Sequence, residues 1–183
     1  MIPTLLEKIE VECLAKCDYA KTGQKWNVFL RPEMLPKAAA RLDETGFYIV
    51  DVCAVDAEEG LVVTYHFDHF AAPNRVTLRV LVSRELPEVP SIVSVYPGAD
   101  WHERETRDFH GIVFTGHPNL VPLLLPDDAD FHPLLKDDAS RTPLRTYLER
   151  GEAVRCRDGF ALFDEPAVEP AAEAKAEEGG ETA

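Results

Sequence analysis

The chain has 183 residues, 33 acidic and 19 basic side chains, and a formal charge of −14. A protein with this acidic balance is repelled by nucleic-acid phosphates and by anionic lipid headgroups, so we expect no nucleic-acid partner and no direct membrane binding. The sequence has no apolar run of about 18 residues, and residues 1–8 lack the basic and apolar regions of a signal peptide. We therefore expect neither a membrane span nor export.

The first part of the chain predicts helical segments that alternate with strands. Apolar residues within 5–9 share one helical face and favour a short N-terminal helix, and residues 26–30 form the first predicted strand. A longer helix begins near Pro32, a residue favoured in a first turn, and ends at Gly46. Its apolar stripe consists of Met34, Leu35, Ala38, Ala39 and Leu42.

The central part changes to the two-residue period of β-strands. Residues 47–55 are rich in β-branched and aromatic side chains, and apolar and polar residues alternate along 61–68 and 76–83. Two alternating runs joined by a loose turn over 68–74 predict antiparallel strands. We expect one face of these strands on a core and the other nearer water.

The second half contains a charged helix and a proline-rich arm. A serine favours a short helix over 91–95, and residues 101–110 form a highly charged predicted helix that Gly111 ends. After a strand-like run at 112–114, four prolines within 118–133 exclude a regular helix or a central strand. This composition indicates an extended arm.

The sequence predicts three regions along the chain. Residues 1–137 form one α+β domain that includes the arm at 117–137, and residues 138–163 form an extension with a short helix over 142–149. Residues 164–183 carry seven acidic side chains and one basic one. Because they hold too little apolar surface to offset the entropy of ordering, we expect a disordered acidic tail.

The charged helix has two interpretations. Glu103 with Arg107 and Arg104 with Asp108 are opposite charges four residues apart. This spacing is typical of a solvated helix with weak ion pairs, and by itself it favours that interpretation. The aromatic residues around the helix and the strand-like run after it favour the other interpretation, in which some carboxylates are buried and paired.

Histidine and cysteine positions predict no metal site. Along a strand, His66 and Asp68 share one face while His69 points to the other, so the three do not converge on one ion. His117 and His132 each precede a proline, and we expect their rings to donate to backbone carbonyls. The cysteines lack the clustered spacing of zinc or iron–sulfur ligands and are predicted to be reduced thiols. They are Cys13, Cys17, Cys53 and Cys156.

Three stretches of the second half carry a family signature. They are residues 96–112, which contain Glu103-Arg104-Glu105, residues 114–118, which end in Gly-His-Pro, and residues 123–137, which contain Pro-Asp-Asp and His-Pro. Together they resemble the C subunit of the proton-pumping NADH:quinone oxidoreductase, respiratory complex I. The similarity extends more loosely over residues 30–137.

The resemblance implies a mixed, mainly antiparallel sheet with helices packed on one face, followed by the extended Pro-rich arm. It also implies a non-catalytic structural subunit of the peripheral arm, at the cytoplasmic face of a bacterial inner membrane. Such a subunit supports electron transfer from NADH to quinone and holds no cofactor itself. NADH, FMN, Fe–S clusters and quinone would be bound by other subunits.

The resemblance also assigns structural and interface roles to the signature residues. In this interpretation the Glu103-Arg104-Glu105 helix is a buried polar network, and the arm drapes over a neighbouring quinone-site or iron–sulfur subunit. No catalytic residue and no metal ligand is implied. The signature residues are Glu103, Arg104, Glu105, Asp108, Gly111, Gly116, His117, Pro118, Pro126, Asp127, Asp128, His132, Pro133, Lys136 and Asp137.

Departures from the family pattern leave alternatives open. His110 stands where an aromatic residue is usual, Phe131 where a glycine is usual, and Asp138-Ala139 in place of Tyr-Pro. One alternative is the homologous subunit of an energy-converting NiFe hydrogenase or a related complex. Another is a stand-alone enzyme that uses carboxylates of the charged helix as acid and base.

Overall fold

A central sheet organises the chain. The computed structural model describes residues 2–71, 74–148, 151–158 and 160, so the predicted acidic tail at 164–183 lies outside the described residues. Within them, six strands pair in one sheet and two short strands form a separate pair. The strands are β1 Val11–Cys17, β2 Trp26–Leu30, β3 Phe47–Ala57, β4 Gly60–His69, β5 Val76–Val82, β6 Glu88–Pro90, β7 Val113–Thr115 and β8 Gly151–Cys156.

The sheet is mixed and mainly antiparallel, as predicted. Its strand order is β3-β4-β5-β2-β1-β8, and of these neighbours only β2 and β5 run parallel among the described strands. The parallel pair β6–β7 lies apart from it. The helices are α1 Ile2–Leu5, α2 Tyr19–Thr22, α3 Leu35–Glu44 and α4 Ala99–His110, with single 3₁₀ turns at Pro32–Met34, Asp138–Ser140 and Leu144–Tyr147.

Helices α3 and α4 cover one face of the sheet, which confirms the predicted layering. The apolar stripe of α3 inserts Ala38 and Leu42 into the same cluster as Tyr65 and Leu78 of the sheet, and all four are completely buried. Burial of apolar surface in such a layer stabilises the fold by roughly 25 cal/mol for each Å² removed from water. This layer is the main core, and it fixes the position of α4.

The second face of the sheet corrects a prediction, since it is buried rather than near water. Thr64, Thr77 and Arg79 lie on it with exposures of 2%, 0% and 5%. Arg79 Nε donates to Asn27 Oδ1 at 3.1 Å, and its Nη1 donates to Thr64 Oγ1 at 3.1 Å. Alternation alone cannot show this, because a polar residue can be buried wherever the fold supplies hydrogen-bond partners.

The N- and C-terminal segments meet in two strands that the sequence analysis missed. β1 lies between β2 and β8, and both pairings are antiparallel. Cys13 and Cys156 face each other in these strands and form a disulfide, so the prediction of reduced thiols is wrong for this pair. The two residues are separated by 143 positions in the sequence. Spacing along the chain therefore gives no sign of the bond.

Two predicted helices are shorter than expected. Residues 91–95 form a turn, in which the N–H groups of Val95 and Tyr96 both donate to Ile92 O. The proline that follows Tyr96 prevents the turn from continuing as a helix. The helix predicted over 142–149 is the single 3₁₀ turn Leu144–Tyr147. Leu144 is buried against the second face of the sheet and anchors this turn.

Candidate docking site

One stripe of α4 is buried against the sheet layer. Glu103, Thr106 and His110 are spaced three and four residues apart and are 0%, 4% and 6% exposed. The interpretation of α4 as a solvated face is therefore wrong. The buried polar network implied by the family resemblance is present for Glu103 and Asp108, while Glu105 lies outside it.

Glu103 is a buried carboxyl that caps the turn before α4. Its Oε1 accepts a hydrogen bond from the Ile92 N–H at 2.9 Å. Burial raises the pKa of Glu103 to about 7, against the lowering effect of the Ser91 and Ile92 hydrogen bonds and with a further increase from Asp100. Its Oε2 and the Tyr65 hydroxyl are both buried without a partner among the described residues. The Glu103 side chain is thus suited to hold its proton near neutral pH.

Asp108 has the opposite behaviour because it accepts several backbone hydrogen bonds. The N–H groups of Leu123, Leu124 and Leu125 donate to its Oδ2 at 2.8, 2.8 and 3.1 Å. Burial raises the pKa of Asp108, but these donors and Arg107 together hold it below its ordinary value. An ionised carboxylate therefore fastens the first part of the arm to α4.

Arg104 holds the same part of the arm by donating hydrogen bonds to the arm's backbone carbonyls. Its Nε donates to Val121 O at 3.0 Å and its Nη2 to Pro122 O at 2.9 Å. Its carboxylate neighbour on the helix is Asp100, at 3.9 Å, instead of the predicted Asp108. Arg104 and Asp108 thus bind the carbonyl and amide groups of consecutive arm residues.

Histidines hold the two ends of the arm. His132 Nδ1 lies 2.8 Å from Asp108 O, and His117 Nε2 lies 3.4 Å from Asp100 O. Since a carbonyl oxygen can only accept, both rings donate to the backbone, as predicted. Gly111, at φ +72°, ends α4 directly beneath the His132 ring. The arm therefore lies first on its own chain.

Asp56 is a further anchor that the sequence analysis did not single out. It is 1% exposed at the end of β3, where its Oδ2 accepts from the Lys136 N–H at 2.9 Å and its Oδ1 from Arg84 Nε at 2.8 Å. Burial raises its pKa, but these donors and Arg141 lower it below the ordinary value. Its partners lie 28 to 85 residues away along the chain, so no local pattern could indicate its role.

The other signature residues are exposed, except for Lys136, which is partly buried. Lys136 binds the Tyr147 hydroxyl through its Nζ at 2.7 Å. The structure does not bring the remaining ones into the network around α4. These exposed residues are Gly116, Pro118, Pro126, Asp127, Asp128, Pro133 and Asp137.

The arm carries exposed apolar side chains, which we call the arm's apolar surface. Each is between 43% and 59% exposed. Exposed apolar residues are typical of protein–protein contact surfaces when, as here, hydrogen bonds to the backbone hold their segment in place. The members are Val121, Leu124, Phe131, Leu134 and Leu135.

A cavity of about 510 Å³ runs between α4 and the arm, and we call it the α4–arm groove. Trp101 and Glu105 on α4 face Leu123 and Leu124 of the arm across it. Trp101 is 69% exposed, compared with 59% for Leu124 on the arm. The groove therefore combines an open aromatic ring with a carboxylate.

The described residues contain neither a metal-binding cluster nor a membrane-spanning helix. Their histidine, cysteine and carboxylate side chains form no cluster of three that could hold a metal ion. None of the helices in the same part of the chain is both long and apolar enough to cross a bilayer.

The fold and the network around α4 define a class of α+β protein in which an extended arm is bound to a charged helix. Comparison with known proteins gives the family. A family model described as respiratory-chain NADH dehydrogenase, 30 Kd subunit, matches residues 28–143. This chain belongs to that family.

Curated relatives support the assignment. The C subunit of the NADH-quinone oxidoreductase of Roseiflexus castenholzii is 42% identical over 118 residues, which are 61% of this chain and 68% of the relative. The protein of the same name from Xanthobacter autotrophicus is 49% identical over 92 residues, which are 49% of this chain and 44% of the relative.

Two solved structures share the fold. A chain of the membrane-bound sulfane sulfur reductase, an archaeal respiratory membrane complex, aligns with a TM-score of 0.58 at 20% identity, over 69% of this chain and 75% of its own. The trypsin-resistant fragment of Nqo5 aligns with a TM-score of 0.51 at 27% identity, over 58% of this chain and 89% of its own.

Proposed function

We propose that the chain is a structural subunit of an NADH:quinone oxidoreductase and that it acts by presenting the arm's apolar surface to neighbouring subunits. The observation that carries the proposal is the fastening of the arm to α4 by Arg104 and Asp108. A proline-rich segment held at both its carbonyl and its amide groups loses little further entropy on binding.

The partners would be the quinone-site and iron–sulfur subunits of the peripheral arm, on the cytoplasmic face of the bacterial inner membrane. NADH, FMN, Fe–S clusters and quinone would be held by those and other subunits, and this chain would hold none of them. Its link to the membrane would pass through the complex. The names of the curated relatives, which are C subunits of NADH-quinone oxidoreductases, support membership of such a complex.

The burial of Glu103 weighs against a stand-alone acid/base enzyme. Its pKa of about 7 is in the range of a general acid, but the side chain is 0% exposed beneath the sheet layer. Asp108 is held ionised by three backbone N–H groups and has no proton to donate at neutral pH. A substrate would reach Glu103 only if α4 separated from the sheet, and Asp108 only if the arm left α4.

The test is purification of the tagged full chain from its native membranes in mild detergent, with the partners identified by mass spectrometry. We expect iron–sulfur and quinone-site subunits together with a flavin-containing NADH-oxidising subunit. Recovery of a NiFe subunit instead would assign the chain to a related complex. Recovery of the chain alone would refute the docking role.

A further inference from the structure

Glu105 is an acidic residue in the α4–arm groove that the internal network does not use. No described residue makes a hydrogen bond or ion pair with its carboxylate. The nitrogen-bearing side chains around it contact other residues: His102 Nδ1 lies 3.3 Å from Asp51 Oδ1, and Arg107 Nη1 lies 3.5 Å from Asp108 Oδ1. Arg104 donates to arm carbonyls. The uncompensated charge in the groove is therefore negative.

The apolar walls of the groove match a long side chain. Trp101 lies one helical turn before Glu105, on the same face of α4, and its ring is open to solvent. Leu124, 59% exposed, lines the opposite wall. An aliphatic stem packs well between an indole ring and a leucine, and a cation over the indole is further stabilised by the ring.

We propose that the α4–arm groove binds an arginine-bearing segment of a neighbouring subunit, with the guanidinium at Glu105 and its stem between Trp101 and Leu124. Arginine fits better than lysine because its planar group stacks on an indole and binds a carboxylate through two parallel hydrogen bonds. The chain's charge of −14 favours a basic partner segment over an acidic one. The inference rests on the proposed docking function and specifies its chemistry.

Photo-crosslinking tests the occupant directly. Trp101 of the full chain is replaced by the photoreactive p-benzoylphenylalanine in the native host, the complex is irradiated and purified, and the crosslinked peptide is sequenced. We expect a peptide from another subunit with an arginine next to the crosslinked residue. A crosslink within this chain, to a second copy, or to a segment without a basic residue would overturn the proposal, as would no crosslink in an intact complex.

Charge variants test the role of Glu105. For Glu105→Gln we expect the affinity of the chain for the rest of the complex to fall about tenfold, and for Glu105→Lys we expect loss of the chain during purification. Glu44→Gln, at an exposed carboxylate of α3, is the control and should behave like the unchanged chain. All three variants should melt like the unchanged chain when isolated.

Retention of the Glu105→Lys chain in the complex at the level of the Glu44→Gln control would refute the inference while leaving the docking function intact. Absence of any partner for the unchanged chain would instead refute the docking function. The two failures are therefore distinguishable.

Discussion

At the residue scale, α4 carries two buried carboxyl groups that behave in opposite ways. Glu103 has its pKa raised by burial, and Asp108 has its pKa lowered by backbone N–H groups that outweigh burial. The two side chains lie on different sides of one helix, Glu103 towards the sheet and Asp108 towards the arm. The donors that each side chain meets, and not burial alone, decide whether it keeps its proton.

For Glu103→Gln we expect a change in how stability depends on pH. An acid whose folded pKa is raised contributes stability that is fully present below its unfolded pKa, here 4.5, and that is lost as the pH rises through about 7. The unchanged chain should thus lose about 2 kcal/mol relative to the glutamine variant between about pH 5.5 and pH 8. Urea unfolding of both chains at the two pH values measures this difference. Equal pH dependence in the two chains would show that Glu103 is ionised in the fold.

For Asp108→Asn we expect a loss of about 2–3 kcal/mol at neutral pH, because an amide cannot accept from three N–H groups as an ionised carboxylate does. The difference from the unchanged chain should shrink as the pH falls below 3.8, the ordinary pKa of the side chain, and through the lowered pKa of the folded state. Free energies of unfolding measure the loss, and hydrogen exchange at Leu123–Leu125 locates it. The same change at the exposed Asp127 is the control and should cost almost nothing.

At the element scale, the arm is a segment without regular secondary structure that α4 holds along its length. The N–H of Leu134 donates to Phe109 O at 3.0 Å, so the contact continues past the end of the helix. Gly111 permits this approach because a Cβ there would lie 2.7 Å from the His132 ring. The end of the helix and the path of the arm therefore depend on each other.

Two glycine substitutions separate the cost of backbone strain from the cost of disturbing the His132 ring, which lies against Gly111. Both glycines have positive φ, +72° at Gly111 and +81° at Gly116, but a Cβ at Gly116 would meet nothing within 4 Å. Gly116→Ala should cost about 1 kcal/mol of unfolding free energy from backbone strain alone. Gly111→Ala should cost about twice as much or more, because His132 must also leave its bond to Asp108 O. Equal losses in thermal or urea unfolding would show that the His132 contact contributes nothing.

At the scale of the whole molecule, two features suit the chain to assembly. Its core is closed by the sheet layer and by helices α3 and α4 of the same chain. The arm nevertheless leaves five apolar side chains, Val121, Leu124, Phe131, Leu134 and Leu135, at least 43% exposed. Exposed apolar side chains grouped on one segment are typical of a surface that associates with another protein.

For the double variant Phe131→Ser/Leu134→Ser we expect less self-association of the isolated chain, because these residues are 56% and 50% exposed on the arm. We also expect much less of the variant in the purified complex, since burial of such side chains drives docking. Sedimentation of the chain and quantitative recovery of partner subunits measure the two effects. Val154→Ser, at a residue 50% exposed on β8, is the control. Full recovery of partners with the double variant would place the docking surface elsewhere.

The sequence by itself determined most of the secondary structure and the family. The two-residue alternation along β4 and β5, the stripe of α3 and the glycines that end α3 and α4 are local features, and local geometry is sufficient to predict them. The signature around Glu103-Arg104-Glu105 indicated the family that the family model confirms. The mixed, mainly antiparallel sheet followed from these strands together with the family resemblance.

Only the tertiary structure decided which charges are buried and what they bind. Asp108 faces the amides of Leu123–Leu125, Asp56 binds Lys136 from 80 residues away, and β1 pairs with β8 across most of the chain. Spacing within α4 predicted pairs inside the helix, whereas the arm and the sheet supply better donors. The pairing of a buried polar group depends on segments that are distant in sequence, so it follows from the packing of the chain and not from local pattern.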